Sequence, residues 1–287
     1  MKTKFPPLLM ISAISLTVLF QVASAQVQLG KNKGPTSKIY IAETKGETQI
    51  VNNEKVYTAR QATAFDAPGT VIETKPDSHD ALVYSNGTGM YVDQNTRVEI
   101  ARFVQEPFHP DRKNSADSQF EPSISQSNVF VPRGAIGICT SQLVSGSTMT
   151  YTTPLALVNI RNGKMSIEAR ADKTIIDLLE GDITVHSGGK DLGGQILRPG
   201  ERAVIRPGLA GEPPSLTISE IPKNELEVID ERVSIACNAK KTVTFETIDK
   251  TGASGQDSGN PDQEIVPKPT VPNQLPANIT VSADRLP

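Results

Sequence analysis

The sequence predicts a mainly β protein, a single β-sandwich or a short β-solenoid, with one C-terminal helix and a disordered tail. Two observations favour this fold class. Apolar and polar side chains alternate along several short runs, which is the period of a half-buried strand. Turn-forming residues recur about every 8 to 12 residues, the spacing expected of an all-β domain. Both architectures bury alternate residues of short strands, so the spacing leaves sandwich and solenoid open.

Residues 1–25 have the pattern of a secretory signal peptide. Two lysines precede an apolar stretch over 8–20, and small residues follow it, so we expect cleavage between Ala25 and Gln26. An uncleaved anchor is the alternative, but a spanning helix needs roughly 20 apolar residues, and hydroxyl side chains dilute this stretch. No later run is apolar enough to cross a bilayer. We therefore expect a periplasmic or extracellular protein without an integral membrane segment after cleavage.

The rest of the chain divides into three parts. Residues 26–46 form a polar lead, and residues 47–248 form the β domain. Residues 249–287 are rich in Pro, Gly and polar side chains, and they carry too few apolar groups to offset the entropy of folding. We therefore predict one folded domain followed by a disordered tail.

Two Asn-Gly pairs mark candidate hairpin turns in the β domain. Alternating runs flank Asn86 and Gly87, and similar runs flank Asn162 and Gly163. An Asn-Gly pair between alternating runs is the strongest short-range hairpin signal, because both positions of a type I′ turn need a positive φ. The sequence therefore predicts a two-residue turn at each pair.

The segment 105–128 interrupts the strand-like text. It contains three prolines and many polar residues, and it shows no periodicity. Long segments of this kind inside a compact domain are either mobile or functional. We expect a long exposed loop between two strands.

A helix is predicted at about 222–239. Pro222 suits the first helical position, and two lysines beyond the segment suit a C-terminus. The residues that recur at steps of three and four, as one face of a helix requires, are Leu226, Ile229, Val233 and Cys237.

The chain has two cysteines, Cys139 and Cys237, and the expected compartment is oxidising. A disulfide between them is therefore the leading interpretation. It would pin the predicted helix to the β body. Two buried unpaired thiols are the alternative, while a zinc site is disfavoured because no His or Asp residues cluster with the pair.

Histidines are sparse, which limits the catalytic chemistry available. His79 precedes Asp80 and could form half of a catalytic dyad, although such a pair is more often a solvated turn. A hydrolase would need His79 or His109 buried beside a carboxylate or a hydroxyl. His186 alternates with Ile183 and Val185, so it is expected to point away from their apolar face, toward the surface.

No motif for a nucleophile elbow, a phosphate loop, a dinucleotide fingerprint or a calcium loop occurs in the sequence. We therefore expect no catalytic residues, no cofactor and no metal site. The net charge of -3 comes from acidic and basic residues that are mixed along the chain. A nucleic-acid partner is disfavoured, because a phosphate-binding surface needs a dense group of Lys and Arg.

An ordered series of short motifs resembles the FecR domain over residues 69–205. The series is GTVIET at 69–74, NGTGMYVDQNTRVEI at 86–100, G-x-I-x-I at 134–138, YTTP at 151–154, LLEGDITV at 178–185 and LRPGERAVI at 197–205. Members of the family tend to carry Gly-Thr and then Phe after the Thr-Pro strand. This chain departs from that pattern at Lys164 and Met165, which puts an inherited ligand contact there in doubt.

The resemblance implies an all-β periplasmic domain, best known from regulators of iron uptake. Those regulators add a membrane helix and a cytoplasmic sigma-regulating domain, and their periplasmic part senses a loaded transporter. This chain is similar to the periplasmic part alone. We expect a non-enzymatic interaction module that recognises an envelope protein, in the setting of cell-surface sensing. The alternative is an envelope structural or carbohydrate-binding protein.

Overall fold

A computed structural model of the chain describes residues 37–108, 119–188, 193–209, 212–249 and 263–270. The predicted signal peptide lies outside these residues, as do its cleavage site at Ala25 and Gln26 and the histidine His109. The described part contains seventeen strands and one α-helix. No helix in this part combines the length and the apolar character needed to cross a membrane.

The strands in chain order are β1 (Lys38–Lys45), β2 (Thr48–Asn52), β3 (Lys55–Thr58), β4 (Ala64–Asp66), β5 (Thr70–Thr74), β6 (His79–Tyr84), β7 (Gly89–Val92), β8 (Arg97–Gln105), β9 (Ser125–Thr140), β10 (Thr148–Thr152), β11 (Ala156–Ala169), β12 (Thr174–Ser187), β13 (Gln195–Leu197), β14 (Glu201–Arg206), β15 (Ser215–Glu220), β16 (Val243–Asp249) and β17 (Gln263–Pro269). The helix α1 (Leu226–Ala239) follows β15 and runs into a 3-10 turn at Lys240–Thr242.

Three long strands, β9, β11 and β12, organise the fold, because the two halves of each have different neighbours. The first half of β9 pairs with β8 and β10, and its second half pairs with β7 and β11. Likewise, β12 pairs with β14 near its start and with β13 near its end. Fifteen strands are thereby joined in one mixed sheet that forms two layers.

We call one layer the helix-side layer, because α1 packs on it. It contains β15, β14, β7, β6, β1 and β4 together with the start of β12 and the second halves of β9 and β11. The far layer contains β13, β10, β8, β5, β2 and β3 together with the remaining halves of the long strands. Strands that pass from one layer to the other through bulges are a known way of making the corners of a β-sandwich.

Side chains from both layers meet in one hydrophobic core. Tyr84 of the helix-side layer and Phe103 of the far layer are fully buried, and their rings meet edge to face with centroids 5.2 Å apart. Tyr151 of β10 belongs to the same core. Each large side chain buried in this way contributes roughly 1.5–3 kcal/mol. The prediction of a mainly β fold with one C-terminal helix is confirmed, and a sandwich with shared strands settles the choice left open by the spacing.

The predicted hairpin turn at Asn162 and Gly163 is wrong. Both residues lie inside β11, where Asn162 pairs with Asp182 and Gly163 pairs with Gly181 of β12. The register shifts on either side of this point, and Gly163 has a φ of +125°. A glycine with positive φ serves a bulge as well as a turn, so the Asn-Gly signal marked a bend within a long strand.

A turn at Asn86 and Gly87 is confirmed, although its predicted two-residue form is wrong. The amide of Gly87 donates to the carbonyl of Tyr84 at 2.8 Å, and the amide of Tyr84 donates to the carbonyl of Thr88 at 2.8 Å. Only Gly87 of the predicted pair has a positive φ, of +89°. The connection is therefore a three-residue loop that ends in a left-handed glycine.

The helix α1 begins at Leu226, four residues later than predicted from Pro222. The amide of Glu225 donates to the carbonyl of Pro222 at 2.9 Å, so a turn precedes the helix. The carboxylate of Glu225 also pairs with the guanidinium of Arg202, with Nη1 and Oε2 2.8 Å apart. This contact ties the turn to β14.

Two glycines allow α1 to approach the sheet closely. A Cβ atom on Gly137 of β9 would lie 2.5 Å from the carbonyl oxygen of Arg232, and one on Gly89 of β7 would overlap the carbonyl oxygen of Ala236. The guanidinium of Arg232 donates to Oδ2 of Asp93 at 2.9 Å, beside this contact. The helix therefore lies directly on the backbone of the helix-side layer.

The predicted disulfide between Cys139 and Cys237 is present. Their Cα atoms lie 5.2 Å apart, and 98 positions of the sequence separate them. Cys139 lies near the end of β9 and Cys237 lies in α1. The bond joins the helix to the sheet, as expected from the sequence.

The predicted domain boundaries need correction at both ends. The polar lead was placed at 26–46, but β1 occupies Lys38–Lys45 and pairs with β4 and β6 inside the sheet. The disordered tail was placed at 249–287, but β17 pairs with β16, and Ile265 is buried beside Phe245. The prolines of β17 disguised that strand, whereas β1 was missed because the polar residues before it set the predicted boundary.

The prediction of a long exposed loop at 105–128 is also wrong in part. Gln105 ends β8, and β9 already begins at Ser125. Phe108 and Glu121, which lie between these strands, are buried. Polar composition suggested solvent exposure, whereas tertiary contacts cover both ends of the segment.

Candidate functional site

Polar side chains form a continuous row on the outer face of the far layer. In the pairing registers of β8 to β12, one residue of each strand lies directly opposite one residue of the neighbouring strand, and all five residues in this line are polar. Neighbouring strands lie about 4.8 Å apart, so the row presents a polar group at each such step. From β8 to β12 the row is Arg102, Asn128, Thr150, Asn159 and Thr184.

A groove of about 830 Å³ lies over the β10–β12 part of this row. Its floor is formed by the outward-facing side chains of the three strands, and residues 143–147 form one wall. We call this segment the wall loop. The polar floor comprises Thr150, Asn159, Arg161, Asp182, Thr184 and His186.

Contacts between floor side chains hold them in place. The hydroxyl of Thr150 donates to Oδ1 of Asn159 at 2.8 Å, and Nδ2 of Asn159 lies 3.4 Å from Nε2 of His186. The chain at Gly194 passes over the His186 ring, since a Cβ atom there would lie 2.6 Å from its Cε1. The floor is therefore a linked set of amide, hydroxyl and imidazole groups.

A buried carboxylate, Glu121, holds the wall loop from below. The amide of Val144 donates to its Oε1 at 2.9 Å, and the hydroxyl of Ser125 donates to its Oε2 at 2.6 Å. Ser147 also binds it and accepts a hydrogen bond from the amide of Ser125 at 2.9 Å. Burial raises the pKa of Glu121, and the hydrogen bonds from Ser125 and Ser147 oppose that rise.

Both predicted turn asparagines support the wall loop. Nδ2 of Asn86 donates to the hydroxyl oxygen of Ser125 at 3.1 Å, which extends the network around Glu121. Nδ2 of Asn162 donates to Oε1 of Gln142 at 2.5 Å, directly before the wall loop. The sequence singled out the two asparagines for their backbones, whereas their side chains contribute to the site. Nothing in the sequence marked Glu121, because a carboxylate in a polar segment is usually solvated.

The predicted direction of His186 is confirmed. Ile183 and Val185 are buried in the core, while Asp182, Thr184 and His186 line the groove on the opposite face of β12. Strand alternation alone was sufficient for this prediction.

His79 and Asp80 do not form a dyad. Nε2 of His79 lies 3.3 Å from Oε1 of Glu43, and its ring contacts Tyr91 with centroids 5.4 Å apart. Asp80 follows His79 in β6, so its side chain points to the opposite face, where it is fully buried. The two side chains are thereby kept apart by the strand itself.

The carboxyl group of Asp80 is an unusual feature of the core. Its oxygens have no hydrogen bond of good geometry within the described residues, although the hydroxyls of Thr44 and Thr48 are close enough to favour its charged form. Burial is the dominant effect, and it raises the pKa of Asp80. Asp80 does not line the groove.

Within the described ranges, no group of three or more His, Cys, Asp or Glu side chains is arranged to hold a metal ion. The floor of the groove offers one carboxylate and one guanidinium, those of Asp182 and Arg161, beside hydroxyl, amide and imidazole groups. What this arrangement can do is form directional hydrogen bonds to a polar ligand.

Comparisons with known proteins do not assign this chain to a family. No family model matches it, and no curated protein sequence matches it. Two crystal structures of a protein from Parabacteroides distasonis, provisionally assigned as an anti-sigma factor, are distantly similar to this fold. Their TM-scores are 0.39 and 0.38 at 12% and 11% sequence identity, and each match covers 55% of this chain and 62% of the other chain. Similarity at this level carries no argument about function.

Proposed function

We propose that this protein is a FecR-type recognition module that works outside the cytoplasm and binds a component of the cell envelope without chemical turnover. The ordered motif series over 69–205 supports the family assignment. The bond between Cys139 and Cys237 supports the location, because structural disulfides persist in oxidising compartments.

The groove on the far layer carries the proposal. Its floor belongs to strands paired on both sides, and its wall loop is held by the buried network around Glu121. Binding residues held by such a rigid scaffold lose little conformational freedom when a ligand arrives. A groove of about 830 Å³ lies within the usual size range of ligand sites.

The partner is either an envelope protein, which the resemblance favours, or an envelope polymer. Photo-crosslinking in intact cells tests both. A photoreactive residue at Ser145, exposed in the wall loop, is expected to form an adduct with an envelope component that mass spectrometry can identify. The same residue at Lys55, exposed on β3 in a different part of the far layer, serves as the control and should form none. Turnover of a substrate by the purified protein, without any adduct at Ser145, would contradict the proposal.

A further inference from the structure

We infer that the groove binds a linear, uncharged, hydroxyl-rich glycan that lies across β10, β11 and β12. This inference rests on the proposed function, since it names the ligand of the same groove. It follows from the chemistry of the floor, from the pairing of its strands and from the spacing of its polar row.

The floor is matched to hydroxyl groups. Amide and hydroxyl side chains such as Asn159, Thr150 and Thr184 can both donate and accept hydrogen bonds, as sugar hydroxyls do. The charged side chains of the floor, Arg161 and Asp182, have opposite signs. An anionic polymer or a basic peptide would therefore meet no net complementary charge, whereas a neutral ligand would meet no repulsion.

The pairing of the strands disfavours an extended peptide. Peptides that bind to sheets usually add a strand to an exposed edge and form main-chain hydrogen bonds. β10 is paired with β9 and β11, β11 is paired with β10 and β12, and residues 183–185 of β12 are paired with β13, so these strands leave no free edge at the floor. Recognition must come from side chains that project from the face of the sheet, and these are polar.

The spacing of the row suits a linear ligand. Asn128, Thr150, Asn159 and Thr184 occupy four adjacent strands, which places them on a line about 14 Å long. A glycan chain lying across the strands would meet hydrogen-bonding groups at each step of about 4.8 Å. No aromatic side chain of the described residues lines the groove, so affinity would come from hydrogen bonds and repeated contacts rather than from stacking.

Calorimetry and NMR titration of the purified full chain with chitohexaose and cellohexaose test the inference, with an oligogalacturonate of equal length as the charged comparator. We expect binding of at least one neutral hexasaccharide and weaker binding of the charged one. Asn159→Ala should reduce the affinity on the order of tenfold, since it removes a side chain that can both donate and accept. Asn159 is exposed, so the thermal midpoint should not change.

Asn238→Ala is the matched control, because it removes the same kind of side chain from an exposed position of α1, which packs on the layer opposite the groove. Its affinity should stay within about twofold of the wild type. Equal losses in both variants, preference for the charged oligosaccharide, or no binding of either neutral probe at millimolar concentration would overturn the inference. A protein adduct at Ser145 together with absent glycan binding would overturn it while the proposed recognition function stands. If Ser145 forms no adduct and no glycan binds, both the inference and the proposed recognition function are overturned.

Discussion

Gly163 of β11 lies directly opposite Gly181 of β12, at the point where both strands cross between the far layer and the helix-side layer. Both glycines have a positive φ, of +125° and +108°. A Cβ atom on Gly163 would overlap the carbonyl oxygen of Glu180, and one on Gly181 would overlap the carbonyl oxygen of Asn162. The crossing therefore requires glycine on both strands, for space as well as for backbone conformation.

Gly163→Ala is expected to lower the free energy of unfolding by about 2–4 kcal/mol, because strain at a positive φ adds to backbone overlap. Gly200→Ala is the matched control. Gly200 also has a positive φ, of +86°, but nothing lies within 4 Å of its hypothetical Cβ atom. In urea denaturation, the free energy of unfolding of the control should fall by only about 1–2 kcal/mol. Equal losses in the two variants would show that the close approach of the strands is unimportant.

Loss of the disulfide should destabilise the protein strongly. The chain-entropy estimate for a loop of this length is about 4–5 kcal/mol, an upper figure because structure that remains in the reduced, unfolded chain lowers the gain. A variant with Cys139→Ser and Cys237→Ser should show a lower thermal midpoint, and wild-type protein with a reductant should approach it. The double variant should not respond to the reductant. A wild-type midpoint that is unchanged by reduction would contradict this prediction.

Asp80→Asn should change how stability depends on pH. The pKa of Asp80 is raised mainly by burial, so its contribution is fully present below the unfolded pKa and is lost as the pH rises through the folded pKa. The variant does not undergo this loss. We therefore compare the free energy of unfolding of the variant with that of the wild type at each pH. The difference should favour the variant more near pH 7 than near about pH 4, which is the ordinary range of an aspartate pKa.

Urea denaturation at both pH values measures this difference. Asp77→Asn, at an exposed turn position three residues earlier, is the control and should leave the pH dependence unchanged. An Asp80→Asn protein whose stability falls in parallel with the wild type between the two pH values would show that this carboxyl is not the group responsible.

Glu121→Ala should loosen the wall loop, because it leaves the amide of Val144 and the hydroxyl of Ser125 without their acceptor. An unsatisfied buried group costs about 1–3 kcal/mol. Hydrogen exchange at the Val144 amide should accelerate accordingly. Glu121→Gln keeps one acceptor oxygen and should have a smaller effect. Glu227→Ala, on the exposed side of α1, should leave exchange at Val144 unchanged, and equal protection in all variants would rule out the anchoring role.

The successful sequence predictions depended on local patterns. Alternation predicted the strands and the outward direction of His186, and steps of three and four residues predicted α1. The cysteine pair could be assigned because only one intramolecular bond is available to two cysteines. Its partners are distant in sequence, and the expectation of an oxidising compartment favoured a bond over two free thiols.

The unsuccessful predictions concerned positions where a distant contact overrides the local signal. Gly163 has the local signature of a turn, yet β12 runs beside it and converts the turn into a bend. Glu121 lies in a polar segment, yet the loop that contains Val144 folds over it and removes it from water. Neither outcome could be derived from neighbours in the sequence, because the deciding atoms lie about 20 residues away in each case.

The sequence by itself determined the fold class, the helix and the covalent link between Cys139 and Cys237, because periodicity and cysteine chemistry are properties of the chain. Only the tertiary structure decided that long strands cross between two layers and that a polar groove lies over three of them. The reason is physical. Which side chains share a face across neighbouring strands depends on pairing register, and register is set by the packing of the whole sandwich rather than by any one strand.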